Sequence, residues 1–245
     1  MKRFVYIIVT VMLFLHMVSA EGSVRIQRTS GDVRIRRGLD ENWLIAGPGI
    51  VLEDIDTILS GEASEAVLRL PDGSRFILGG NAILDVGDLR EITERELLLY
   101  LTSLKLHDIQ RTGDMPAIRL ENVSVVRGEQ KSTGHEPESQ TEPSAQYRQE
   151  LNGARALHRH RLLPNAIIKY YSIMEKYPSV GHVAEIHFAL GQAFEAMNDT
   201  GHAMDAYQQA IDTSGDGEKT GGRRAEQMIR EAEKAIQRLR QPDNN

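Results

Sequence analysis

Within the 245-residue sequence, one segment repeats itself at an offset of 37 residues, and that periodicity limits the fold more than any single motif does. Ala154 recurs as Gly191, Leu157 as Phe194, Ala166 as Ala203, Tyr170 as Tyr207, Ile173 as Ala210 and Pro178 as Gly215. Small residues return where two helices touch closely, and large apolar ones return where the gaps between them are filled. A helix pair of this kind cannot bury its apolar face alone, so copies stack and present an extended concave surface. Such surfaces bind proteins or peptides far more often than they perform chemistry. This half of the chain is therefore expected to be a binding module.

With Ala184 as the first position of a unit of about 34 residues, Leu190 and Gly191 fall at the seventh and eighth places. Phe194 falls at the eleventh, Ala203 at the twentieth, Tyr207 at the twenty-fourth and Ala210 at the twenty-seventh. This pattern resembles the tetratricopeptide repeat (TPR). His187 stands where that family often has Trp, and Gly215 where it often has Pro. An earlier unit starts at Tyr147, with Gly153 at a usual Leu place but Ala154, Leu157, Ala166, Tyr170 and Pro178 retained. Extra turn residues around Gly181, His182 and Val183 account for the excess over the family period. A strongly amphipathic helix from Arg223 to Arg240, with Ala225, Met228, Ala232, Ala235 and Leu239 on one face, is expected to cap the stack.

At this length the chain is expected to hold about two domains. Cysteine is absent, which excludes disulfide frameworks, thiolate zinc sites and cysteine nucleophiles. A net charge of −6 argues against a chain built to coat nucleic acid or anionic lipid. Lys2 and Arg3, an apolar run from Phe4 to Leu15, and Val18-Ser19-Ala20 read as a cleavable secretory signal peptide over residues 1–20. The membrane is met only transiently through that segment, so the expected location is periplasmic or extracellular.

The region after it reads as short strands with turns between them. Val24 and Ile26 alternate with Arg25 and Gln27; after Ser30-Gly31-Asp32, Val33 and Ile35 alternate with Arg34 and Arg36, a pattern that predicts an antiparallel hairpin. Asp72-Gly73 between apolar runs predicts a second hairpin whose two central residues both take positive φ. Gly31-Asp32-Val33, Trp43, Ala46-Gly47-Pro48-Gly49, Glu53-Asp54-Ile55-Asp56-Thr57 and Asp72-Gly73-Ser74 together resemble the FecR domain of bacterial envelope proteins. Ser124-Val125-Val126-Arg127-Gly128 is similar to the late turn of that family, with Glu53 and Glu129 departing from its usual Gly and Thr. The resemblance covers about residues 22–130. Over residues 87–112 the helix formers Leu97 to Leu101, preceded by Thr93 to Glu96, compete with the strand that the resemblance implies; the strand is the expectation. Residues 131–146 carry two prolines and almost no apolar side chain and read as a flexible linker to the helical part, 147–240. The fold class expected is α+β and multidomain, with a mainly-β FecR-like domain followed by an all-α TPR-like domain, the two folding independently.

No catalytic signature is present: there is no nucleophile elbow, no phosphate-binding loop with its Lys, and no His-Glu-x-x-His. The reading is therefore non-enzymatic, with no cofactor and no metal. Glu53, Asp54, Asp56, Glu62 and Glu65 read as a solvated strand edge rather than a Ca²⁺ loop, because their spacing matches no converging set. His182, His187 and His202 are spread too widely for a compelling metal site. The TPR resemblance implies that Arg148, Leu151, Arg155, His158 and Arg159 of the first unit face a concave groove. The second unit contributes Glu185, Phe188, Gln192, Glu195 and Ala196 to that groove. Three arginines there either clamp a carboxylate bidentately or form a solvated face, and both readings stay open. Arg230, Lys234 and Arg238 are expected on the outer face of the terminal helix. The function expected is a protein-binding scaffold or adaptor in the envelope, with another envelope protein or peptide as partner and no nucleic acid. The alternatives are a carbohydrate- or peptidoglycan-binding wall protein and a periplasmic component of envelope signalling. A single Trp weighs against the first. For the second, a sensor of that kind would be expected to carry a cytoplasmic segment before its membrane span, where Met1, Lys2 and Arg3 stand ahead of the apolar run.

Overall fold

The computed structural model describes residues 23–112, 143–178, 183–216 and 222–241. Eight short strands come first: β1 (Val24–Ser30), β2 (Val33–Arg36), β3 (Trp43–Ile45), β4 (Val51–Leu52), β5 (Thr57–Ser60), β6 (Glu65–Arg69), β7 (Arg75–Leu78) and β8 (Ala82–Asp85). They form two antiparallel four-stranded sheets, β4-β1-β6-β7 and β3-β2-β5-β8. A 3₁₀ turn (Val86–Leu89) and six helices follow: α1 (Glu94–Thr112), α2 (Pro143–Arg159), α3 (Leu163–Lys176), α4 (Val183–Ala196), α5 (Thr200–Asp216) and α6 (Gly222–Arg240). The class is α+β, with the sheets N-terminal and the helices C-terminal.

Alternation along the strands supplies the sandwich core. Val24, Ile26, Leu68, Phe76 and Leu78 come from one sheet, and Val33, Ile35, Ile58 and Leu84 from the other. Val24 to Arg36 does not form the expected hairpin, because β1 and β2 enter different sheets. Gly31, at φ +75°, lets the chain cross between them, and an added Cβ there would meet Ser64 Oγ at 2.5 Å. The β6–β7 hairpin does form, with Arg69 opposite Arg75. Its turn differs from the expected type. Only Gly73 takes positive φ (+82°), Gly73 N–H donates to Leu70 C=O at 2.9 Å, and Pro71 fits the second position of a type I turn. The acidic cluster is also dispersed. Asp56 is buried, where it accepts from Arg37, from Glu53 N–H at 2.9 Å and from Gly38 N–H at 3.3 Å, so it organises two loops instead of facing water. Glu65 pairs with Arg28 at 2.7 Å.

Residues 94–112 are helical, which corrects the expected strand. Thr93 and Glu96 form a reciprocal capping box: Thr93 N–H donates to Glu96 Oε2 at 2.9 Å, and Glu96 N–H donates to Thr93 Oγ1 at 3.2 Å. That pairing satisfies two otherwise orphaned helix-start donors. Leu97 and Leu101 then bury one face, and Tyr100 meets Tyr171 of α3 with ring centroids 6.4 Å apart. The turn expected at Ser124–Gly128, the signal segment 1–20 and residues 131–142 of the linker lie outside the described residues, while residues 143–146, expected to be linker, already belong to α2.

The helical part sits directly on the sandwich. α2 crosses the outer edges of β7 and β8, and Gly153 lies so close that an added Cβ would come within 2.1 Å of Ile83 C=O. Asn152 Nδ2 donates to Asn81 C=O at 2.8 Å, and Ile77 N–H donates to His160 Nε2 at 2.9 Å, the ring lying 4.6 Å from that of Phe76. Asn165, buried in α3, donates to the carbonyls of Asp88 and Arg90, both at 2.8 Å. Lys169 Nζ lies 3.0 Å from Asp85 and 2.7 Å from Asp88. Burial alone would pull this ammonium down, but the two carboxylates outweigh it and raise its pKa. One apolar cluster runs from the sandwich through the helices, so the described halves share a core where independent folding was expected.

Candidate functional site

Two tight turns set the helix pairs. Arg161 and Asn198 take positive φ (65° and 62°), and Leu162 N–H and Asp199 N–H bond back to the preceding helices, both at 3.0 Å. Pro164 occupies the first turn of α3, where its missing N–H costs nothing. Asp199 caps α5 by accepting from His202 N–H at 3.1 Å. Gly191 of α4 packs flush on Tyr207 of α5, whose ring would lie 2.6 Å from any added Cβ.

Above that contact an open cleft of about 520 Å³ separates α4 from α6. Phe188, Gln192 and Glu195 form the α4 wall, and Glu231, Lys234 and Arg238 form the α6 wall. Tyr207, Ala196 and Ala235 form the floor. The rings of Phe188 and Tyr207 stand 5.6 Å apart. Tyr207 Oη donates to Glu195 Oε2 at 2.8 Å, while Glu195 Oε1 is paired with Arg238. Burial and then the hydrogen bond to Glu195 raise the Tyr207 hydroxyl pKa, so it remains a donor at neutral pH.

The expected groove residues separate into two groups. Phe188, Gln192, Glu195 and Ala196 come together in the cleft. Leu151 lies in the core, 4% exposed, and offers no surface. His158 is half-buried, edge-on to Tyr170 at 6.4 Å, and burial followed by the Arg161 charge lowers its pKa. Arg148 and Arg159 are exposed, but Arg155 is engaged by Glu185, which also accepts from Arg224 at 3.1 Å. The three arginines therefore do not stand free together as a clamp, because Arg155 already has its carboxylate. Lys234 and Arg238 face the cleft instead of the outer surface, because they flank Ala235 at the edge of the buried seam Ala232, Ala235 and Ile236. Their spacing from Glu231 (three and seven residues) carried that signal.

No three His, Asp or Glu side chains converge as metal ligands among the described residues. His202 pairs with Asp199 at 2.7 Å, while burial lowers the pKa of His187; His182 lies outside the described residues. None of the described helices is long and apolar enough to cross a membrane. No family model, curated protein or solved structure matches the chain.

Proposed function

We propose that this chain is an exported, non-enzymatic scaffold of the bacterial envelope that holds another envelope protein or peptide on its helical part. In this reading the sandwich is a FecR-like domain and the helix pairs are TPR-like units capped by α6. The observation that carries it is the α4–α6 cleft: two aromatic rings line it, both walls bear charges, and it lies open between stacked helix pairs. Aromatic side chains and arginine are enriched at the centres of protein interfaces, where Tyr and Arg are among the residues that dominate binding energy. The test is capture from the native envelope by the wild-type chain and by Phe188→Ala with Gln192→Lys. Partners that elute from the wild type should be lost from the double variant. Identical capture by both would overturn the cleft as the working surface. Export is checked separately by N-terminal sequencing of the protein recovered outside the cytoplasm, which should begin at Glu21.

A further inference from the structure

Sheets expose two edges each, and here three of the four are already occupied or blunted. The β7 and β8 edges are covered by α2 and the turn that follows it, through Ile77 N–H on His160, Asn81 C=O on Asn152, and Ile83 C=O against Gly153. Strand β4 is two residues long, and its Val51 C=O accepts from Arg37 at 3.0 Å. The β3 edge is different. Ala46 N–H donates to Val33 C=O at 2.8 Å, and Leu44 lies opposite Ile35. Hydrogen-bonded and non-bonded pairs alternate in an antiparallel ladder. The groups of Leu44 therefore face β2, while the N–H and C=O groups of Trp43 and Ile45 point away from the sheet. Side chains there are apolar and exposed: Ile45 is 86% exposed and Leu44 is 51% exposed, and Leu39, Val51 and Ile55 are exposed beside them. A long-range contact joins these segments, since Arg37 in the β2–β3 loop reaches both Val51 C=O and Asp56.

Unpaired carboxylates predominate around this edge. The arginines are engaged: Arg34 with Asp32 at 2.9 Å, Arg36 over the Trp43 ring at 5.4 Å, and Arg37 with Asp56. Asp40, Glu41, Glu53 and Asp54 have no cationic partner among the described residues. Asp40 and Glu53 share one depression with Val51 and Ile55. We propose that β3 is a docking edge, separate from the helical cleft, for an extended apolar segment of a partner protein flanked by lysine or arginine. Backbone pairing to Trp43 and Ile45 supplies the attachment, as in strand addition to an open sheet. The acidic rim selects a basic partner and opposes a second copy of this chain, which would bring the same carboxylates.

The experiment uses the full exported chain, isotopically labelled, and two synthetic peptides. One is Lys-Lys-Val-Thr-Val-Thr-Val-Lys-Lys, and the other has Glu in place of each Lys. The lysine peptide should shift the amide resonances of Trp43 and Ile45 and bind at least about ten-fold more tightly than the glutamate peptide at low salt. Ile45→Pro removes an outward N–H that the β2 ladder does not use, a place where an edge strand tolerates proline, and should abolish binding. If Ile45→Pro melts early, Asp40→Lys with Glu41→Lys tests the same site from the solvent side and should invert the peptide preference. The proposal is overturned by unshifted β3 amides at millimolar lysine peptide, or by equal affinity for both peptides. It is overturned equally by a concentration-dependent dimer in sedimentation that Ile45→Pro disperses, since the edge would then belong to a second copy.

Discussion

Replacing Gly153 with alanine separates helix propensity from docking, because the two act in opposite directions. In an unconstrained helix interior, Gly→Ala stabilises by about 1 kcal/mol. At Gly153 the new Cβ lands 2.1 Å from Ile83 C=O, a backbone atom that cannot rotate away. An ordinary carbon–oxygen contact needs about 3.3 Å, so α2 must withdraw from β8 by roughly 1 Å or strain both backbones. Withdrawal stretches the Asn152–Asn81 and His160–Ile77 hydrogen bonds, now 2.8 and 2.9 Å. Each contributes about 0.5–1.5 kcal/mol. With overpacking set against the propensity gain, Gly153→Ala should destabilise by about 1–3 kcal/mol. At this chain length that lowers Tm by about 2–12 °C. Gly201→Ala is the control, since its Cβ would find nothing nearer than Asp199 Oδ1 at 3.8 Å; it should be neutral or mildly stabilising. Urea and thermal melts of both variants read the difference. If Gly153→Ala proves as stable as Gly201→Ala, α2 does not lie flush on β8 and the seam between sheets and helices is misdescribed.

Three further outcomes follow from other contacts. Ala203 is fully buried in α5, so Ala203→Leu should cost about 1–3 kcal/mol; an unchanged melting curve would mean the helix pairs are out of phase. His160 has its pKa lowered, first by burial and then by Arg159, so the unfolded chain binds its proton more readily than the folded one. Its contribution is complete above the ordinary histidine value of about 6.5 and fades as pH falls through the folded value. Thermal melts between pH 7.5 and 5 should therefore show a smaller acid loss in His160→Gln than in the wild type, and equal losses would remove His160 from the seam. Protease cleavage within residues 131–142 should leave two fragments that co-elute on size exclusion, because the seam joins them; separate elution would restore two independent units.

Where the chemistry is local, the sequence was readable. Asp72-Gly73 marks the β6–β7 hairpin, although Pro71 shifts the turn so that Gly73 alone needs positive φ. The terminal helix is visible in its apolar spacing, and the pairing of Gly191 with Tyr207 is what a small residue repeated opposite a ring implies. Helix α1 is locally visible too, through Thr93 and Glu96, whose capping chemistry runs against the strand that the family resemblance implies. Long-range choices were not readable. Nothing in Val24 to Arg36 says that its two halves join different sheets, since that depends on Ser64 and on the partners of β5 and β6. Gly153 looked like a defect in a repeat and is a close contact with a strand distant in sequence. Ion pairing was equally hidden: Arg155 is taken by Glu185, and Arg238 turns inward to Glu195.

The cover over the sandwich also has a date of arrival. Asn152 follows the carbonyl it caps by 71 residues, and His160 follows the N–H it accepts by 83. A chain made or threaded from its N-terminus completes β7 and β8 well before either partner exists, a delay of roughly 4–17 s at ordinary elongation rates. During that interval the sandwich carries bare edges on both sides, the state in which strands recruit the wrong neighbour. Slowing the emergence of α2, by rare codons or a stalled export channel, should therefore raise aggregation without altering the finished protein.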